Sequence, residues 1–233
     1  MMRIGIIGGL GPLAGVELQR QIILATPATY DQEHLDVVCY TNPHVADRTT
    51  SLVQDGGDAF VQDITHTVRV LECAGAALLL LPCNTAHARL TSIQQTTALP
   101  VLDMVGTTVR ALRQRYGASV RPLLFATDGT LSAKVYEAHC SDIVWHYPVQ
   151  QQKVMDCIYA IKAGHVQEAS QVFSRLVQEE LVSSKATVVV LACTELSVIS
   201  AALTVPTIDP LKELAHKAVC MVRACSSCVI NGV

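Results

Sequence analysis

The sequence has few charged residues, few aromatic residues and no long hydrophobic run. Only 16% of its 233 residues are charged and 4% are aromatic, whereas 50% are hydrophobic, so the chain is not intrinsically disordered. Its 17 Lys and Arg against 20 Asp and Glu give a net charge of −3 without a basic cluster, which argues against a nucleic-acid partner. A membrane-spanning helix needs about 20 apolar residues, and because every apolar run here is shorter we expect no membrane partner.

The first residues also lack the apolar segment and cleavage site of a secretory signal peptide, so we expect a cytoplasmic protein. Nine cysteines stand out against this background. Nine cannot all pair within one chain, and in the cytoplasm they are expected to be reduced thiols. Free cysteines are usually small core residues, so the question is which of them does chemistry. The nine are Cys39, Cys73, Cys83, Cys140, Cys157, Cys193, Cys220, Cys225 and Cys228.

Short apolar segments alternate with amphipathic ones along the chain, which indicates an α/β fold with parallel sheets. Helical spacing relates Phe60, Ile64, Val68 and Leu71, and again residues 166–177. A final helix is predicted from Leu211, because prolines interrupt the chain just before it. Strands are predicted at residues 3–9, 36–40, 76–82, 100–103, 121–127, 142–146 and 187–193.

The two halves of the chain are similar to each other. LLLLPCNTAHA at 78–88 and VVVLACTELSV at 188–198 are both an apolar strand that ends in a cysteine and enters a helix. We therefore predict two similar α/β lobes, each with a parallel sheet flanked by helices, related by pseudo-two-fold symmetry, with the active site between them. The first lobe comprises residues 1–103 and 208–233, and the second comprises residues 104–207.

Cys83 and Cys193 end these two matching strands, at the edge where open α/β sheets bind their ligands. The N-terminal amides and dipole of a following helix favour a thiolate and an anionic ligand. Two thiols on opposite sides of one ligand suit removal of a proton from one face of a carbon and delivery to the other. A core role explains one such cysteine well, but it explains two at matching positions less well.

Eight motifs, taken in order, resemble the aspartate racemase family of the cofactor-independent aspartate/glutamate racemase superfamily. The resemblance runs from residue 3 to residue 218, nearly the whole chain. The motifs are GGLGPLAG (8–15), DQEH (31–34), NPHVADRT (42–49), PCNTAHA (82–88), GTLSAKVYE (129–137), IKAGH (161–165), ACTELSV (192–198) and IDP (208–210).

This resemblance implies racemisation of aspartate, or of glutamate, by proton transfer between Cys83 and Cys193 without a cofactor or metal. One thiolate takes the α-proton, and the other thiol returns a proton to the opposite face. Arg48 is implied to hold the side-chain carboxylate and Lys162 to be a second charged contact, and a homodimer is expected because relatives commonly form one. The remaining predicted substrate-binding residues supply hydroxyl or amide groups: Thr49, Thr50, Asn84, Thr85, Thr130 and Thr194.

Several alternatives stay open at this point. Glu195 stands where glutamate racemases typically have histidine, and it either tunes Cys193 or caps the start of a helix. His87, four residues after Cys83, is interpreted as a core or helix-face histidine rather than a metal ligand, and the Cys225–Cys228 pair as a local disulfide or an inert tail. Hydantoin racemisation, maleate isomerisation and non-catalytic binding of an acidic amino acid are the alternative functions.

Overall fold

Parallel β-sheets form the centre of the computed structural model, which describes the backbone of residues 2–230 and the side chains of residues 2–224. One sheet contains β1 (Ile4–Gly8), β2 (Val37–Thr41), β3 (Leu78–Leu80) and β4 (Val101–Leu102), in the order β2-β1-β3-β4. A second contains β5 (Pro122–Ala126), β6 (Val188–Ala192) and β7 (Thr207–Ile208), in the order β5-β6-β7. The pairings within both sheets are parallel, so the predicted fold class of two parallel sheets is confirmed.

Helices connect the strands and cover both sheets. None of the helices described within residues 2–230 is long and apolar enough to cross a membrane. In the described part of the chain, three short 3-10 helices, Asp31–Glu33, Thr85–Arg89 and Ser200–Ala202, supplement the α-helices. The α-helices are α1 (Pro12–Ala25), α2 (Arg48–Gln54), α3 (Asp58–Cys73), α4 (Leu90–Gln94), α5 (Met104–Tyr116), α6 (Asp128–Ser132), α7 (Val135–His139), α8 (Gln151–Lys162), α9 (Val166–Ser183), α10 (Thr194–Ser197) and α11 (Pro210–Ile230).

Each sheet is buried on both faces because its central strands are apolar throughout. In β3, Leu78 and Leu80 pack with α1 and α11, whereas Leu79 points to the opposite face and packs with α3. This alternation follows from the two-residue period of a strand. The second sheet has the same arrangement, with α8 and α9 on one face and α5 and α7 on the other. Burial on both faces explains why these strands read as continuous apolar runs.

The internal repeat extends to strand order, since β1, β3 and β4 correspond to β5, β6 and β7. In place of the strand predicted at residues 142–146, the structure has one parallel bridge between His146 and Leu123 of β5. This bridge lies beside β5 as β2 lies beside β1. Pro148 follows two residues later and has no N–H to extend the pairing. The prediction missed β7, because its two residues lie between prolines that indicated only an interruption.

The last helix, α11, packs against both α1 and α5. Its residues Leu211, Leu214, Ala215 and Ala218 belong to the hydrophobic cluster beneath the first sheet. The division of the chain into lobes at residues 103 and 208 stays a prediction. The side chains of Cys225 and Cys228 lie outside the described residues, and so does the prediction made for them.

An ion pair between Asp103 and His139 joins the start of α5 to the end of α7, with 3.3 Å between Oδ2 and Nε2. Partial burial raises the pKa of Asp103, but hydrogen bonds from His139 and the Gly106 N–H outweigh this and lower it to about 2. The hydrogen bond to Asp103 raises the pKa of His139, and desolvation only partly opposes it.

We expect this pair to stabilise the fold more in mild acid than in mild alkali. Because folding raises the pKa of His139, the pair contributes its full stability below the unfolded-state pKa of about 6.5. That stability is lost as the pH rises through the folded-state pKa. Urea unfolding should therefore show a larger destabilisation by His139→Gln at pH 5.5 than at pH 8.5. The difference should stay below about 1 kcal/mol, because the pair is partly exposed. Equal destabilisation at both pH values would contradict this role.

Candidate active site

A single cleft brings together residues that follow strands of both sheets. The cleft is narrow and partly open to solvent. The predicted site residues that line it are Arg48, Thr49, Cys83, Asn84, Thr85, Lys162, Cys193 and Thr194. It is also lined by Leu10, Asp47, Thr127, Ala192 and Glu195.

The two cysteines occupy matching positions in this cleft. Cys83 lies three residues beyond β3 and Cys193 directly after β6, and their exposed fractions are 6% and 4%. The helices predicted after them are shorter than expected: a 3-10 helix of five residues follows Cys83, and α10 has four. Such short helices align few peptide dipoles, so the local donors matter more here than a helix macrodipole.

Cys193 makes a direct contact with Glu195. The thiol Sγ donates to Oε2 of Glu195 at 2.9 Å. Burial raises the pKa of Cys193 well above its ordinary value, and the charge and hydrogen bond of Glu195 add to the effect, while Lys162 opposes it. Cys193 is therefore held as a thiol in the resting site. Of the two roles expected for Glu195, contact with Cys193 is the one that the structure shows.

His87 holds the backbone at Cys83 rather than its thiol. Its Nε2 lies 3.1 Å from the backbone N–H of Met104, which can only donate, so Nε2 accepts. The proton is therefore on Nδ1, which donates to the carbonyl oxygen of Cys83 at 2.7 Å. Burial lowers the pKa of His87 and keeps the ring neutral. Within the described residues no group of three or more His, Cys, Asp or Glu is arranged to hold a metal ion.

Two cations line the cleft. Arg48 is only 8% exposed, and its guanidinium donates to the carbonyl oxygens of Leu10, Val45 and Ala46 at 3.0 to 3.2 Å. Lys162 is the exposed last residue of α8. Neither cation forms a salt bridge among the described residues. Because the hydrogen bonds of this guanidinium go to neutral carbonyls, its positive charge is available to attract an anionic ligand.

Asp47 is an acidic lining residue that sequence reasoning missed. It caps α2, and its Oδ1 accepts from the Thr50 N–H and hydroxyl, both at 2.9 Å. Desolvation raises its pKa, but these bonds and the charges of Arg48 and Lys162 outweigh that effect and lower it. Thr50 is exposed and bound to this cap, so it does not line the cleft as predicted.

Hydrogen bonds of threonine hydroxyls connect the two halves of the chain at the cleft. The hydroxyls of Thr85, Thr127 and Thr130 form a triangle with oxygens 2.9 to 3.0 Å apart. Thr130 takes part in this triangle but does not line the cleft. Thr194 donates to the carbonyl oxygen of Pro82 at 3.1 Å.

Asn84 retains an unused donor. Tyr136, which sequence reasoning did not select, donates from its hydroxyl to Oδ1 of Asn84 at 2.7 Å. The amide Nδ2 of Asn84 is buried without a hydrogen-bond partner among the described residues. Because Oδ1 is the acceptor, Nδ2 is left as a free donor beside Cys83 in the wall of the cleft.

Comparison with known proteins identifies the family. Residues 7–218 match the family model described as Asp/Glu/Hydantoin racemase, so the chain belongs to that family. This confirms the predicted family and, with it, the predicted enzyme class, a racemase and therefore an isomerase. The chain is 26% identical to the broad specificity amino-acid racemase RacX of Bacillus subtilis (strain 168) over 207 residues. This alignment covers 84% of this chain and 86% of RacX.

Solved structures agree with this assignment. The aspartate racemase of Picrophilus torridus is 26% identical, with a TM-score of 0.85 over 96% of this chain and 95% of that one. Glutamate racemase isoform RacE1 from Bacillus anthracis is 15% identical, with a TM-score of 0.64 over 96% and 82% of the two chains. The second similarity shows the shared two-lobed fold alone.

Proposed function

We propose that the protein is a cofactor-independent racemase of aspartate, or of glutamate, in which Cys83 and Cys193 exchange protons with the α-carbon. One observation carries the proposal. Two buried cysteines at matching strand ends line one narrow cleft together with two cations that form no salt bridge among the described residues. A site for binding alone has no use for paired thiols, whereas inversion at carbon requires a base on one face and an acid on the other.

In the proposed reaction, one cysteine thiolate removes the α-proton and the other thiol protonates the opposite face. The α-proton is weakly acidic, so the negative charge that develops on the α-carbon and its carboxylate must be stabilised by aimed donors. The free Nδ2 of Asn84 is such a donor, and the cleft-lining hydroxyls of Thr85 and Thr194 are others. Burial of this wall strengthens each interaction, because little water competes with it.

The substrate class is inferred from charge. A guanidinium binds a carboxylate through two parallel hydrogen bonds, so Arg48 is assigned to the side-chain carboxylate, and Lys162 adds a second positive charge. The name of the Picrophilus torridus relative, an aspartate racemase, supports aspartate as the first substrate to test. Arg48 and Lys162 are compatible with either chain length, so glutamate is tested beside it.

The experiment is solvent exchange in D₂O. Purified protein is incubated with L-aspartate or L-glutamate without pyridoxal phosphate, and the α-position is followed by NMR and chiral chromatography. We expect deuterium at the α-carbon of the D-enantiomer. No exchange with either amino acid would contradict the proposal. Exchange on a hydantoin, isomerisation of maleate, or calorimetric binding of aspartate without exchange would each select one of the alternative functions.

A broader amino-acid range is a second candidate. Asp47 contributes a carboxylate to the same cleft, where it offsets part of the positive charge. The similarity to a broad specificity racemase points the same way. Including alanine and lysine in the exchange experiment tests it. Exchange of these amino acids at rates comparable to aspartate would favour the broader range, whereas exchange confined to acidic amino acids would exclude it.

We further propose that the protein is a cytoplasmic homodimer, on the strength of the family resemblance. Sedimentation velocity at micromolar concentration should give a species with twice the mass of the chain. A species of single-chain mass at every concentration would contradict the homodimer.

A further inference from the structure

The carboxylate of Glu195 lies in the wall of the cleft, 3% exposed, and its two oxygens have different surroundings. Oε2 accepts the hydrogen bond from the Cys193 thiol, whereas Oε1 is buried with no partner among the described residues. The backbone of Gly11 leaves room for it, since a Cβ there would stand only 2.1 Å from Oε1. Burying a carboxylate with an unpaired oxygen costs free energy, so a purely structural role explains this arrangement poorly.

We propose that Glu195 and Cys193 share one mobile proton, and that Glu195 receives the thiol proton whenever Cys193 acts as the base. This inference rests on the proposed function and deepens it. Glu195 acts through Cys193 rather than on the reacting carbon, so it is a positioning residue and not a catalytic one. The proton moves along the existing hydrogen bond. Before the transfer the Cys193 thiol faces the Glu195 carboxylate, and after it the Cys193 thiolate faces the Glu195 carboxylic acid.

The proton count balances over the whole cycle. At the start Cys83, Cys193 and Glu195 together hold two protons and one negative charge, which rests on Glu195. The Cys193 proton moves to Oε2, the thiolate takes the α-proton, and the Cys83 thiol protonates the opposite face of the carbanion. At the end Cys193 and Glu195 are both protonated and Cys83 is the thiolate, so two protons and one negative charge remain. The reverse reaction starts from this state.

The advantage of the shared proton is a supply of thiolate that does not depend on pH near neutrality. A thiol that ionises by itself changes its thiolate fraction about tenfold per pH unit below its pKa, whereas a proton shared within one pair is redistributed without exchange with solvent. In the proposed cycle the Glu195 carboxylate carries the one negative charge and passes it to sulfur only during turnover. The raised pKa of the Cys193 thiol agrees with a resting state in which Glu195 bears the charge.

Several charged and titratable groups lie around the Cys193–Glu195 pair and bear on its pH response. The cations Arg48 and Lys162 line the cleft, and Lys162 lowers the pKa of Cys193. The pKa of Asp47 is lowered and that of the buried Tyr136 is raised well above 10, so neither changes charge between pH 6 and 8.5. The cysteine opposite is Cys83, and burial keeps neutral the ring of His87, which bonds the Cys83 carbonyl. The buried Asp209 bonds Ser197 on α10, and burial raises its pKa.

The first test is the pH profile of Glu195→Gln. Wild-type kcat/KM should be nearly constant from pH 6 to 8.5. In the variant a thiol must ionise by itself, so kcat/KM should instead rise about tenfold per pH unit up to the thiol pKa. Both enantiomers should change by the same factor, because the equilibrium constant of a racemisation is one. Glu195→Asp, which retains a carboxylate, should keep the wild-type profile at a reduced rate.

Glu213→Gln is the matched control, because it removes another buried carboxylate, one that binds Arg115 on α5. It should leave the profile unchanged. A Glu195→Gln variant whose kcat/KM keeps the wild-type pH profile, reduced or not, would overturn the proposal, since the loss of a structural role has no reason to depend on pH.

The second test does not depend on turnover or on a variant. Iodoacetamide alkylation of Cys193, followed by mass spectrometry of its peptide, should proceed at a constant rate from pH 6 to 8 in the wild type. Glu195→Gln should instead show about a tenfold rise per pH unit, as a simple thiol does. A wild-type rate that rises in this way would overturn the shared proton even if racemisation is found. A constant rate in a protein that racemises nothing would leave the pair standing and refute the proposed function alone.

Discussion

Replacing either Cys83 or Cys193 by serine should reduce racemisation at least about 10³-fold, as expected from the loss of a general acid or base. Serine is similar in shape to cysteine and slightly smaller, but its hydroxyl ionises far outside the working pH range. Both cysteines are almost fully buried and both line the cleft, so the change removes the proton carrier with little disturbance of packing. The racemisation rate, followed by chiral chromatography with both enantiomers of aspartate, measures this loss.

The two variants should differ in what they retain. Elimination of chloride from a β-chloro amino acid requires only the base on one face. Cys83→Ser should therefore still act on the configuration whose α-proton faces Cys193, and Cys193→Ser on the mirror configuration. A variant that racemises at a near-normal rate, or two variants that retain the same configuration, would contradict the two-base mechanism.

Cys157→Ser provides the control. Cys157 is as buried as the two cleft cysteines, but it lies on α8 in the hydrophobic core and does not line the cleft. Its replacement should cost stability and leave racemisation near the wild-type rate. A comparable loss of racemisation in Cys157→Ser would show that any buried serine disturbs the site, and it would remove the basis for assigning the effect to Cys83 and Cys193.

The features that could be predicted from the sequence are those encoded over short distances. Apolar runs of four to six residues predicted β1, β3, β5 and β6, because strands buried on both faces need such runs. The recurrence of a cysteine at the end of two of them then placed both thiols at one edge. The spacing of Phe60, Ile64, Val68 and Leu71 likewise predicted the buried face of α3.

The features that could not be predicted depend on contacts between distant parts of the chain. A loop arginine is ordinarily exposed. Arg48 is a buried cation because it bonds the carbonyl oxygen of Leu10, 38 residues earlier, in addition to carbonyls of its own loop. The hydrogen bond from Tyr136 that leaves Nδ2 of Asn84 free joins residues 52 positions apart in the sequence. The two-residue β7 carries no periodic pattern at all, so its pairing with β6 follows from tertiary structure rather than from local preference.

Arg48 is where we expect the second large effect. Arg48→Ala should reduce kcat/KM for aspartate by about 100-fold or more, because a charge-assisted hydrogen bond contributes about 1.5–3 kcal/mol and a bidentate pair contains two. Arg48→Lys keeps the charge but not the planar fork, so we expect a loss of about tenfold. Steady-state kinetics measures both, and thermal unfolding reports how much stability is lost with the bonds to the Leu10, Val45 and Ala46 carbonyls.

A comparison of two substrates separates recognition of the side chain from support of the cleft. Alanine has no side-chain carboxylate, so Arg48→Ala should change its α-exchange in D₂O, however slow, by only a few-fold, while aspartate exchange falls about 100-fold. Equal losses for the two amino acids would mean that Arg48 binds the α-carboxylate or only holds the loop in place. Arg175→Ala, on the exposed face of α9, removes a cation outside the cleft and should alter neither substrate. A selective loss at Arg48 alone therefore assigns the acidic side chain of the substrate to this guanidinium.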